Sequence, residues 1–105
     1  MPYLARRFIK RVKDSPEFQP VLPEGFLPEA RKFYYDVAQS PDRSAMISLK
    51  TVVPVSQILF GTDYPYQTAE EHVAGLRNSG VFNDRELRAI GRDNALRLLP
   101  TLRLA

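Results

Sequence analysis

The stretch Ile58-Leu59-Phe60-Gly61-Thr62-Asp63-Tyr64-Pro65 decides how the rest of this 105-residue chain is read. Three consecutive apolar residues predict a strand, Gln57 to Phe60, buried on both faces as in a parallel sheet covered by helices. Pro65 cannot extend a central strand, so the ladder must stop before it. Asp63 then sits where the strand emerges, and two readings are open. It caps a turn, or it is one of the polar groups that α/β enzymes place at the carboxyl ends of their strands.

Working outward, the flanking segments alternate between helix and strand signals. Tyr3 to Lys13 has Leu4, Phe8, Ile9 and Val12 at helical spacing, and Ser15-Pro16 ends it. Four prolines (Pro16, Pro20, Pro23, Pro28) and Gly25 predict an irregular connection up to Pro28. Arg31 to Ala38 is rich in β-favouring side chains, and alternation puts Tyr34 and Asp36 on one face, Phe33, Tyr35 and Val37 on the other. Ser40-Pro41 predicts a helix start, followed by a stripe of Ala45, Met46, Leu49, Val52 and Val53.

Beyond Asp63, Thr68 predicts an N-cap with Glu70 and Glu71 in the first turn, Val73 and Leu76 facing inward, and Gly80 at the end. Asn83 and Glu86 have capping-box spacing. The last helical segment carries Leu87, Ile90, Ala95, Leu98 and Leu99, with an expected break at Gly91 to Asp93. The expected fold is therefore α/β, with about two parallel strands and four helices. Two strands alone leave unpaired edges and an uncovered face, so more strands are expected from elsewhere.

Composition narrows the function classes. The chain is 44% hydrophobic and 26% charged, ordinary for a globular protein. No apolar run approaches the ~20 residues of a membrane helix, and the first residues lack the apolar core of an export signal. The absence of cysteine rules out disulfides and thiolate metal sites and suits the cytoplasm. Net charge is +3, with Arg6, Arg7, Lys10, Arg11 and Lys13 preceding the first acid. That cluster reads as the solvated face of an amphipathic helix, since no nucleic-acid motif accompanies it.

Gly61-Thr62-Asp63-Tyr64-Pro65 resembles the last-strand signature of the amidohydrolase-related metal enzymes, the branch with aromatic-acid decarboxylases and small hydrolases. Phe33 to Ala38 resembles that family's seventh strand, Ser40 to Val53 the following helix, and Ile90 to Leu99 its closing helix. Pro2-Tyr3-Leu4-Ala5 with Arg6 or Arg7 is similar to the start of the helix after strand six. The resemblance implies the C-terminal portion of a (β/α)8 barrel, a single partial domain over 1–105. Its parts would be a helix at 1–15, a linker at 16–30, strand seven and its helix at 31–56, and strand eight with closing helices at 57–105.

By the same resemblance, Asp63 is the catalytic carboxylate that ligates a divalent metal, zinc first among the candidates, and moves a proton. Tyr34 and Tyr64, with Tyr66 beside them, would line a pocket for a small aromatic or carboxylate-bearing substrate. Asp36 would orient a ligand or substrate donor, or it bonds backbone N–H groups in the next turn, which is the commoner role. Arg92 and Arg97 read as surface residues. The family's His-x-His pair and further histidine ligands have no counterpart here. The single histidine, His72, falls in a helix and reads as a surface or packing imidazole. The implied reaction is metal-dependent hydrolysis or decarboxylation, with the chain expected to hold no metal and to be inactive alone. An upstream chain completing the barrel, or a second copy, is the expected partner. The alternative is a non-catalytic α/β module that self-associates or docks on a partner chain.

Overall fold

A computed structural model describes residues 4–101. Helix α1 (Ala5–Asp14) is followed by a 3-10 turn at Pro16–Phe18 and a short helix α2 (Phe26–Ala30). Strand β1 (Tyr35–Asp36) leads into α3 (Arg43–Val52), a second 3-10 turn and strand β2 (Ile58–Leu59). Helices α4 (Ala69–Ser79), α5 (Asp84–Arg88) and α6 (Asn94–Leu98) complete the chain, a π-helical turn at Ala89–Asp93 joining the last two. The strands pair in parallel, Tyr35 with Ile58 and Asp36 with Leu59, so β1–α3–β2 is a βαβ unit.

The apolar pattern explains where the core sits. Val37 and Ile58 are fully buried beneath Met46, Leu49 and Val53 of the α3 segment, Leu76 of α4, Phe82 and Ile90. Helices thus cover one face of the two-stranded sheet. The opposite face carries Asp36, exposed, and Leu59, half-buried.

Several elements start where local chemistry predicts. Thr68 and Asn83 cap α4 and α5 in full capping boxes, each receiving its N3 backbone N–H while Glu71 or Glu86 accepts from the cap. Gly80 ends α4 in the left-handed region at φ +69°, where a Cβ would be unfavourable.

Four expectations need correction. The linker contains α2, because Pro28 occupies its first turn, where a missing N–H costs nothing. The expected strand 31–38 shrinks to two residues. Arg31, Lys32 and Phe33 each donate an N–H back to the preceding turn, and the Gln57 side chain donates to the carbonyls of Arg31 and Phe33. Phe33 is consequently 65% exposed and not in the core. Helix α3 is capped by Asp42 rather than Ser40, its carboxylate accepting from Ala45 N–H at 3.2 Å and Ser44 Oγ at 2.5 Å. Those bonds, the Ser44 one foremost, hold the Asp42 carboxyl below the usual carboxylate range.

The fourth correction concerns which faces the helices bury. The break at Gly91 to Asp93 is a π turn, in which Asn94 N–H reaches back to Ala89. One extra residue per turn rotates the buried face, so Asn94 and Leu96 point inward while Leu98 and Leu99 stay exposed. In α4, His72 and Leu76 are buried and Val73 is exposed. In α1 only Ala5 and Val12 are buried. Phe8, half-exposed, meets Phe26 of α2 at 5.1 Å between ring centres.

Candidate active site at the exits of β1 and β2

Both strands leave the sheet through a residue in the left-handed region, Gln39 (φ +61°) after β1 and Asp63 (φ +60°) after β2. Neither is glycine, so each turn is held against a local cost of order 1–2 kcal/mol. The partners that hold them are visible. Val37 N–H donates to Leu59 O at 3.1 Å, carrying the ladder one step past β1. Ser40 N–H donates to Val37 O and closes the first turn at 3.0 Å, while Tyr66 N–H donates to Asp63 O and closes the second, also at 3.0 Å. The Gln39 side chain spans the gap, its Nε2 donating to Asp63 Oδ2.

His72 lies beneath this contact. Its Nε2 is 2.9 Å from Gln39 N, and its Nδ1 is 2.9 Å from Thr68 O. A backbone N–H can only donate, so Nε2 accepts; Nδ1 therefore carries the proton and donates to the carbonyl. The ring is fully buried, with Phe60 edge-on at 6.3 Å between centres. His72 is thus a helix-packing imidazole with both nitrogens occupied by backbone.

Asp36 accepts from Ala38 N–H at 3.0 Å, the turn-stabilising role. It also packs over Gly61, where an added Cβ would stand 3.2 Å from Asp36 Cβ and Cγ. The loop holds Tyr64 and Tyr66 out in solvent, 81% exposed each, and Tyr34 is 38% exposed. The described residues therefore bring Asp63 and Gln39 into contact and Asp36 against Gly61, and they enclose no pocket around the tyrosines. The Tyr64–Pro65 peptide is cis.

Asn94 ties the far end of β2. Its Nδ2 donates to Ile58 O at 2.7 Å and Val55 O at 2.8 Å, holding the strand's entry on the closing helix. Sequence reasoning had no signal for Gln39, which sits in what reads as a plain helix start. For His72 a signal existed, since it lies one helical turn after the Thr68 cap.

Among the described residues, no three His, Cys, Asp or Glu side chains converge closely enough to hold a metal ion. Asp63 is one exposed carboxylate, and His72 has no free nitrogen. A zinc-type site needs at least three protein donors, so these residues do not by themselves fit a metal.

The sequence profile of the amidohydrolase family matches residues 27–101. The chain belongs to the amidohydrolase family. It is 28% identical over 110 residues to the decarboxylase yanB of Aspergillus niger, spanning 99% of this chain and 30% of that one. Among solved structures, 2,6-dihydroxybenzoate decarboxylase from Rhizobium superposes with a TM-score of 0.74 at 20% identity, over 95% of this chain and 31% of that one. For 5-carboxyvanillate decarboxylase LigW from Sphingomonas paucimobilis the TM-score is 0.72 at 16% identity, over 95% and 30%. The fold is accordingly the C-terminal portion of a (β/α)8 barrel, and the chain spans about 30% of the length of these relatives. The four helices expected from sequence correspond to α1, α3, α4 and the α5–α6 pair, with α2 additional.

Proposed function

We propose that this chain supplies the last two strands of an amidohydrolase-family active site acting on a small aromatic carboxylate, and that the reaction is non-oxidative decarboxylation. The relatives above are decarboxylases by name, which favours that reaction over hydrolysis. The single observation that carries the reading is Asp63 at the exit of β2, exposed and held by Gln39. Asp63 would give one carboxylate donor to a divalent metal, zinc first among the candidates, with the remaining donors supplied by barrel strands outside this sequence. Bound there, a metal would polarise the substrate carboxylate or an adjacent oxygen. Asp63 holds its position and moves a proton, Asp36 shapes the neighbouring turn, and Tyr34 and Tyr64 close over an aromatic ring once the remaining strands enclose them. The zero cysteine count suits a cytoplasmic setting.

The test is native mass spectrometry of the protein isolated from its own cell, with CO2 release from 2,6-dihydroxybenzoate as the activity. The expected result is a divalent metal in an assembly or longer polypeptide that carries this sequence, with turnover lost in Asp63→Ala. A metal-free monomer without turnover overturns the reading. A metal-free homo-oligomer supports a second reading, a self-associating module, which the unpaired outer edges of β1 and β2 favour.

A further inference from the structure

We propose that His72 and Gln39 form a two-step brace that aims the Asp63 carboxylate, and that both are positioning residues. The inference rests on Asp63 being the working carboxylate of the proposed site.

An exposed Asp in a loop ordinarily samples several rotamers, yet this one is anchored from the turn that follows β1. The anchor is Gln39 Nε2, and an extended Gln side chain is itself floppy unless its backbone is fixed. Fixing that backbone is the part His72 plays. Its Nε2 takes the Gln39 N–H and stabilises a left-handed turn that a Gln would otherwise leave. The Nδ1–H bond to Thr68 O, within the same helix, sets both tautomer and ring plane. A buried ring in α4 is thereby linked through one backbone amide and one side-chain amide to the carboxylate beyond β2. No side-chain atom of His72 is hydrogen-bonded to Asp63 or to the Gln39 carboxamide, so any effect of the imidazole on them passes through the Gln39 backbone.

The test uses nitrogen-15 NMR on the full chain. In the wild type, the His72 ring must show a protonated Nδ1 and a bare Nε2, and the Gln39 side-chain amide must be displaced from the free-glutamine position. Asp63→Ala should return that amide to the free position. His72→Phe keeps an aromatic ring beside Phe60 and removes the acceptor; it should return the amide as well, while His72→Gln, which keeps an acceptor, should retain the displacement. Circular dichroism establishes that each variant is folded. Gln39→Ala alters an exposed loop side chain, and in the assembly that carries the activity it should lower turnover about tenfold or more.

A wild-type ring protonated on Nε2 overturns the brace. So does a displaced Gln39 amide that persists in folded His72→Phe. Unchanged turnover in Gln39→Ala, with Asp63→Ala inactive, overturns the positioning role. Unchanged turnover in Asp63→Ala instead removes the catalytic reading of Asp63, and with it the role of the brace in catalysis, whatever the amide shows.

Discussion

At the scale of single residues, the contacts that define this molecule are small and specific. Gly61 leaves room for Asp36, and an alanine there would push its Cβ to 3.2 Å from two Asp36 carbons. Gly61→Ala should therefore destabilise the fold by about 1–2 kcal/mol, read as a lower urea midpoint at unchanged slope. Much of what the residues do here was hidden in the sequence. Asp63 stood out because an apolar run, a Gly and a Pro frame it. Gln39 did not, because a left-handed turn filled by a non-glycine has no compositional mark, and its partner is 24 residues away. Asp36 accepts from the Ala38 N–H, and His72 packs in α4 with both ring nitrogens on backbone groups, contacts that a single sequence does not display.

Elements show where pattern reading succeeds and where tertiary contacts overrule it. The N-cap at Thr68 and the capping box at Asn83 are legible because each uses only four consecutive residues, although the reciprocal bond from Glu71 is seen only in the structure. β1 is shorter than its aromatic residues predict, since they favour extended backbone while Gln57, from the neighbouring segment, holds Arg31 and Phe33 in a turn. The inward face of the closing helix departs from the apolar spacing because a π turn shifts it by one residue.

That shift delivers Asn94 to two carbonyls at the entry of β2, and Asn94→Leu would strand both. We expect a loss of about 1–3 kcal/mol in chemical denaturation. In α5, the cap N–H of Asn83 first, then Lys50 at 3.2 Å, hold the Glu86 carboxyl below the ordinary carboxylate range. A depressed folded-state value means stability that is present above the unfolded pKa of about 4.3 and lost as pH falls through the folded one. Denaturation midpoints should thus fall on acidification. Glu86→Gln, which keeps the capping geometry but cannot titrate, should flatten that dependence.

At the scale of the whole molecule, the chain is more open than a self-contained domain. Its radius of gyration is 15.6 Å, against about 13 Å for a compact domain of ~100 residues. α1 and α2 pack on each other through Phe8 and Phe26, apart from the core cluster around Val37 and Ile58. The barrel ancestry was readable from motifs at β1 and β2. How little of the sheet forms among the described residues has no mark in the sequence, because it turns on the long-range hold of Gln57 on Arg31 and Phe33.

The two-residue ladder of β1 and β2 also bears on how this segment fares when no other barrel strands are folded around it. Strands this short let copies pair edge to edge over only a residue or two, which works against fibre growth. Helices that leave Phe8, Ile47 and Leu98 exposed are, however, open to protease attack. The 105-residue segment expressed by itself should therefore be cleared by degradation rather than accumulate in inclusion bodies. Pulse-chase labelling should show a short half-life that protease inhibition extends, with the recovered chain in the supernatant.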